Sequence, residues 1–152
     1  MQLAKFTDYA LRVLMHLAVA DKYALSTRQI SEIHDARFNH LAKVTQWLSR
    51  EGYVSSTRGR SGGLRLARSP EMINVGQIVR ELEREDALVE CLKSDGGLCA
   101  LSPICGLTSA LRTAQDAFFE TLDGYTIADL TPPGGHLAHL LERLNTSARP
   151  DA

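Results

Sequence analysis

The feature that most limits how this chain folds is the run Arg58-Gly59-Arg60-Ser61-Gly62-Gly63. Glycines and cations in that density do not sustain a helix, and the flanks, Tyr53 to Thr57 and Leu64-Arg65-Leu66, carry β-branched or alternating residues. Together they predict a two-stranded hairpin with a basic tip. The residues before it are helical in period. Leu11, Leu14, Met15 and Ala18 share a face of a first helix running to about Ala20, for which Thr7 is the expected cap and Asp8 a favourable first-turn acid. Ser26 and Gln29 have capping-box spacing before a short second helix bearing Ile30 and Ile33, and His34-Asp35-Ala36 read as a turn. A third helix is predicted from Asn39 to Arg50, with Leu41, Val44 and Leu48 inward and Gly52 as terminator. Three helices followed by a hairpin is the order of a winged helix-turn-helix, whose third helix enters the major groove while the wing rests on the flanking backbone.

Charge supports that reading. The net charge of −1 conceals two unlike parts: residues 1–68 hold 11 Lys/Arg against 5 Asp/Glu, net +6, and the remainder is net −7. A basic module suits a phosphate backbone. On the third helix the predicted outer face offers Asn39, His40, Lys43 and Gln46; amides match adenine edges, and cations match guanine or phosphate. Arg58, Arg60 and Arg65 are the candidate wing contacts, with Arg28 and Arg37 as weaker phosphate candidates. Double-stranded operator DNA is the expected partner.

Beyond the wing, Ser69-Pro70 breaks the chain and Asn74 is placed to cap a helix from Val75 to about Glu85, burying Ile78, Val79 and Leu82. Residues 86–102 have little helical period. Pro103 fits the first turn of a long helix reaching Leu122, on which Leu107, Leu111, Ala114, Phe118 and Leu122 form a stripe that seeks a partner, either a second copy or the chain's own domain. A short apolar stripe from His139 to Leu144 follows Pro132-Pro133-Gly134-Gly135, then a polar tail expected to fray. The expected class is mainly α: a winged helix-turn-helix domain over 1–68, a cysteine loop and long C-terminal dimerisation helix over 69–131, and a partly flexible tail over 132–152. No secretory pattern or membrane-length apolar run is visible, which predicts a cytoplasmic protein without a membrane role.

Cys91, Cys99 and Cys105 lie within 15 residues, separated by seven and five residues. They cannot share one helical face, so a wrapping loop is expected, with Gly96-Gly97 as its flexible point. In a reducing compartment an odd cluster of thiols argues for metal or redox chemistry over a disulfide framework. Zinc sites commonly pair cysteines at C-x2-C, which is absent, whereas iron–sulfur clusters accept wider spacing. Three thiolates leave a fourth position for a carboxylate, an imidazole, an exogenous molecule or a residue of a second subunit. His16, His34, His136 and His139 read as core or surface histidines rather than ligands.

These residues resemble the winged-helix iron–sulfur repressors. The resemblance covers most of the chain and is carried by Met1-Gln2-Leu3 with Phe6-Thr7-Asp8-Tyr9-Ala10-Leu11-Arg12, Leu48-Ser49-Arg50-Glu51-Gly52-Tyr53-Val54, Arg58 through Leu66, the three-cysteine loop and Tyr125-Thr126-Ile127-Ala128-Asp129-Leu130. The opening stretch and the Tyr125 segment look like the nitric-oxide-sensing NsrR branch. The IscR-like branch, which serves cluster assembly, places a histidine shortly after the third cysteine; here Gly106, Leu107 and Thr108 follow it. The resemblance implies a homodimer with crossed long helices and a cluster on Cys91, Cys99 and Cys105, 4Fe–4S favoured over 2Fe–2S. It implies Asp8 of the other subunit as fourth ligand, with Arg12 one turn away orienting it. The function implied is a repressor that holds operator DNA with its cluster intact and releases it on nitrosylation. The alternative is an IscR-like regulator of cluster supply or redox state. No C-x-x-C pair, phosphate loop or assembled nucleophile supports an enzyme.

Overall fold

The computed structural model describes residues 3–20, 24–57, 59, 62–83, 88–93, 95, 97–101 and 104–147. Seven helices and a hairpin are named in chain order: α1 (Lys5–Val19), α2 (Thr27–Ile33), α3 (Phe38–Arg50), β1 (Val54–Thr57), β2 (Gly63–Leu66), α4 (Val75–Leu82), α5 (Gly106–Asp123), α6 (Ile127–Leu130) and α7 (His136–Ser147). Three-residue 3-10 turns at Pro70–Met72 and Glu90–Leu92 complete the order.

α1 is the central helix. Its buried face, Ala10, Val13, Leu14 and Leu17, meets Ile30 of α2, Leu41, Val44 and Leu48 of α3, Leu64 of β2, Ile78 and Val79 of α4 and Ile127 of α6 in one continuous core. That core therefore crosses residue 68, because α4 and α6 pack on α1 in the same cluster as α2 and α3. Backbone hydrogen bonds from Val75 N–H to Tyr125 (2.9 Å) and from Ile127 N–H to Ile73 (3.0 Å) draw the Tyr125 segment against the start of α4.

One helix start and one helix end differ from expectation for one reason. α1 begins at Lys5, a turn earlier than a Thr7 cap allows, and Thr7 is buried inside it. The acceptor that a cap would supply comes from Glu83, just after α4: its Oε1 accepts the Ala4 N–H at 2.9 Å and also the Thr7 hydroxyl. α4 ends at Leu82 rather than Glu85, which frees Glu83 for that role; Asn74 caps it as expected, accepting from Gln77 N–H at 2.9 Å.

α5 starts at Gly106 with Cys105 as its cap residue; Pro103 lies outside the described residues. None of its 18 residues is fully buried. Phe118, Phe119 and Leu122 in its second half lean on the core, so the expected stripe divides: its C-terminal half has a partner within the chain and Leu107 stays exposed. Gly76 lets α4 approach the end of α5, where Arg80 Nη2 donates to Asp123 Oδ2 at 2.6 Å. The short apolar stripe from His139 to Leu144 forms α7, which buries Ala138, Leu141 and Asn145; of the polar tail expected to fray, residues 148–152 lie outside the described residues. α7 docks on α1 and α2.

Candidate DNA-reading face and cysteine loop

The helix-turn-helix is built by local chemistry. Ser26 and Gln29 form the expected capping box: Ser26 Oγ accepts from Gln29 N–H at 3.1 Å, and Gln29 Oε1 accepts from Ser26 N–H at 2.8 Å. The turn His34-Asp35-Ala36 reverses the chain with Asp35 at φ 47°, a left-handed conformation that aspartate tolerates. α3 then runs with Leu41, Val44 and Leu48 buried. Asn39, Lys43 and Gln46, at i, i+4 and i+7, stand exposed along the opposite ridge. His40 does not join them. It is half-buried on the flank of α3 facing α1, its ring edge-on to Tyr9 at 5.4 Å and tilted to Phe6 at 6.2 Å.

β1 and β2 pair antiparallel with Val54 opposite Leu66 and Thr57 opposite Gly63. The wing is fixed at its root by Leu25, which exchanges hydrogen bonds with Leu64 at 3.2 and 2.8 Å. A Cβ at Gly63 would lie 3.0 Å from the Leu25 carbonyl oxygen, so this close approach requires glycine. Tyr53 stacks on Trp47 at 5.9 Å, takes the Arg68 guanidinium on its ring and donates to Glu81 at 3.0 Å. Burial and the Glu81 carboxylate push its phenol up to about 12. Arg65 is exposed on β2; Arg58 and Arg60 lie outside the described residues.

The three cysteines are free thiols and half-buried. Cys91 sits in the 3-10 turn Glu90–Leu92, and Cys105 precedes the first turn of α5. They meet at Thr108, whose Oγ1 is 3.3 Å from Cys91 Sγ. The backbone N–H and hydroxyl of that same threonine, with the Leu107 N–H, hold the Cys105 thiol below its ordinary range. A helix N-terminus thus favours the thiolate, the form that ligates metal. The loop returns towards Cys99 by a sharp fold: Gly97 has φ +58°, and a Cβ there would lie 2.4 Å from the Glu90 carbonyl oxygen. The donor set suits a thiolate-bound iron–sulfur group. Among the described residues, no three His, Cys, Asp or Glu side chains are gathered as a metal-holding group.

Asp8 stands on α1, half-exposed, with its Oδ1 accepting from Arg12 Nε at 2.8 Å one turn on. A further turn along the same face is His16, buried, its Nδ1 2.8 Å from Asn145 Oδ1 of α7. The His34 ring packs edge-on against His16 at 4.7 Å. Among the described residues, the Nε2 atoms of both rings and Asn145 Nδ2 have no hydrogen-bond partner. His16 is thus an interior residue and His34 half-buried beside it. Sequence reasoning missed Thr108, Glu83 and Asn145. Only Thr108, three residues past a cysteine that opens a helix, left a local trace.

A helix-turn-helix with an anchored wing and a polar, cationic ridge on its third helix defines a winged-helix DNA-binding regulator. The comparison with known proteins gives the lineage: the chain belongs to the Rrf2 family, described as iron-dependent transcriptional regulators, which matches residues 3–133. It is 43% identical over 143 residues to the HTH-type transcriptional regulator NsrR of Bacillus subtilis, covering 93% of this chain and 98% of that one. It is 42% identical over 142 residues to NsrR of Bacillus licheniformis, covering 93% and 99%. Among solved structures, the global cysteine regulator CymR of B. subtilis superposes with a TM-score of 0.67 at 27% identity, over 86% of this chain and 95% of that one. IscR of T. potens shares the fold, with a TM-score of 0.66 at 24% identity over 100% and 94%. Among the described residues no helix is long and apolar enough to cross a membrane.

Proposed function

We propose that the chain is a nitric-oxide-sensitive cytoplasmic repressor. It binds operator DNA as a homodimer while Cys91, Cys99 and Cys105, with Asp8 of the other subunit, hold an iron–sulfur cluster, 4Fe–4S in preference to 2Fe–2S. The observation that carries this is the convergence of Cys91 and Cys105 on Thr108 at the N-terminus of α5. Likeness to regulators named NsrR supports it. The group held there supplies iron with one replaceable, non-thiolate position open to nitric oxide.

The chain supplies the rest. Leu98, Leu101, Ile104 and Leu107 surround the cysteines and are between 64% and 94% exposed, an apolar surface that a second subunit would cover. Arg12 orients the Asp8 carboxylate. A bond from Asp8 to the other subunit's loop ties α1, the scaffold of the DNA-binding helices, to the dimer's geometry. Two recognition helices must stand about one DNA turn apart, so making or releasing that tie changes operator affinity. Asn39, Lys43 and Gln46 face bases, Arg58, Arg60 and Arg65 of the wing face the backbone, and His40 helps seat α3.

The test is anaerobic purification with iron, sulfide and zinc analysis and a visible spectrum, followed by nitric oxide titration. Binding is followed on a duplex selected by the protein from a random-sequence pool. A brown protein with matched iron and sulfide that releases DNA on nitric oxide, and a colourless Cys99→Ala variant, are expected. Zinc without sulfide would overturn the cluster. Release by oxidant or iron depletion with indifference to nitric oxide would overturn the signal and favour the IscR-like alternative. Gly97→Ala is expected to weaken iron retention about tenfold through displacement of the loop from Glu90. Its unfolding midpoint should not move, because the loop lies outside the core; full iron retention would show that the fold at Gly97 does not position the thiols.

A further inference from the structure

The first residue of the recognition helix is an aromatic that the described residues leave partly uncovered. Phe38 opens α3, directly after its cap residue Arg37, and is 43% exposed. It lies in a groove of about 660 Å³ whose other walls are Arg37, Asn39, His40 and Lys43. Arg28 of α2 reaches across the turn and sets its guanidinium carbon 5.2 Å from the centre of the Phe38 ring. The ring is therefore held by a cation–π contact and presents its remaining surface outward beside Asn39 and Lys43. An exposed phenyl group among cations is an expensive surface unless a partner covers it, and the surrounding positive charge selects a polyanion.

We infer that Phe38 is a specificity-determining residue that reads the 5-methyl group of a thymine in the major groove, while Arg28, stacked on its ring, bonds the adjacent phosphate. The inference rests on α3 being the recognition helix and deepens it. Residues at the N-terminal end of such a helix are those that reach base edges, and phenylalanine is among the side chains whose contact with the thymine methyl carries sequence information. The methyl is the single apolar projection of the A·T pair in that groove, so an apolar ring among polar readers discriminates thymine from cytosine without a hydrogen bond. Arg28 serves position rather than sequence, as a phosphate contact does.

The experiment uses the purified full-length protein and the duplex it selects from a random-sequence pool. Each thymine of a half-site is replaced in turn by deoxyuridine, which removes the methyl and leaves every hydrogen-bonding group in place. One symmetry-related position is expected to weaken wild-type binding by about fourfold per half-site. At that position Phe38→Ala should bind the thymine and deoxyuridine duplexes equally, Phe38→Leu should keep part of the preference, and Arg28→Gln should weaken all duplexes alike with a shallower salt dependence. A selected site at which no deoxyuridine weakens binding, or a preference that survives in Phe38→Ala, would overturn the role of Phe38. Failure of the pool to yield any preferred sequence would overturn the assignment of α3 itself, a separate outcome.

Discussion

Replacing Gly76 by alanine is expected to unseat α5 from α4 and to destabilise the fold by about 3 kcal/mol. A Cβ built on Gly76 lies 2.1 Å from Asp123 Oδ1, 2.7 Å from Asp123 N and 3.0 Å from Asp123 Cα. The carboxylate can swing away, at the loss of its pair with Arg80, but the Asp123 backbone cannot, because Asn74 Nδ2 donates to its carbonyl at 2.7 Å and fixes the end of α5. Relief requires the two helices to part, which exposes Phe118, Phe119 and Leu122 where they lean on the core. Urea unfolding of wild type and Gly76→Ala measures the loss. Arg80→Ala is the control: it removes a solvent-exposed ion pair, which contributes little, and should shift the midpoint far less. Equal midpoints for Gly76→Ala and wild type would show that α4 and α5 are not in contact at this glycine.

Stability should fall as pH drops from 6.5 towards 4, and the buried histidines are the reason. Burial, the neighbouring His16 and then the Arg12 cation lower His34 to about 4, against a partial opposing pull from Asp8; His16 is also lowered by burial, opposed by its bond to Asn145. Above pH 6.5 both rings are neutral in the folded and the unfolded chain, and the contact of α7 with α1 is undisturbed. Below 6.5 the unfolded chain takes up protons that the folded rings refuse, so unfolding gains free energy until His34 itself protonates near 4. The gap at His34 alone corresponds to about 2 kcal/mol, allowing for the water its half-buried ring still meets. His34→Phe keeps the edge-on ring against His16 and removes one titrating group. The difference between its unfolding midpoint and that of wild type should change across pH 7 to 5 in favour of the variant. A pH-independent difference would place the His34 ring in water rather than against His16.

Local chemistry was legible wherever a few neighbouring residues close their own account. The Ser26–Gln29 capping box, the turn at Asp35 and the stop at Gly52 are satisfied within a few residues of themselves, and they stand where the sequence places them. The cysteines were legible as a chemical class because their spacing excludes a single helical face. What escaped was non-local. Thr7 has the composition of a cap, yet Glu83, 76 residues away, does the capping from the end of another helix. His40 has the periodicity of a surface residue on α3, yet the aromatic pair Phe6 and Tyr9 of α1 stands over it.

The tail is the sharpest case. From His139 to Leu144 the sequence offers too short a stripe to hold a helix alone, since a short isolated helix does not repay its nucleation. α7 forms because Leu141 finds a buried place on the rest of the chain and Asn145 finds the His16 ring, partners that exist only once α1 and α2 are folded. The sequence by itself determined the three helices and hairpin of the N-terminal part and the grouping of the thiols, because period and spacing are properties of neighbours along the chain. Only the tertiary structure decided which carboxylate caps α1, that one threonine serves two cysteines, and that the last helix locks onto the first, because a hydrogen bond or a buried methyl depends on what folding brings within a few ångströms.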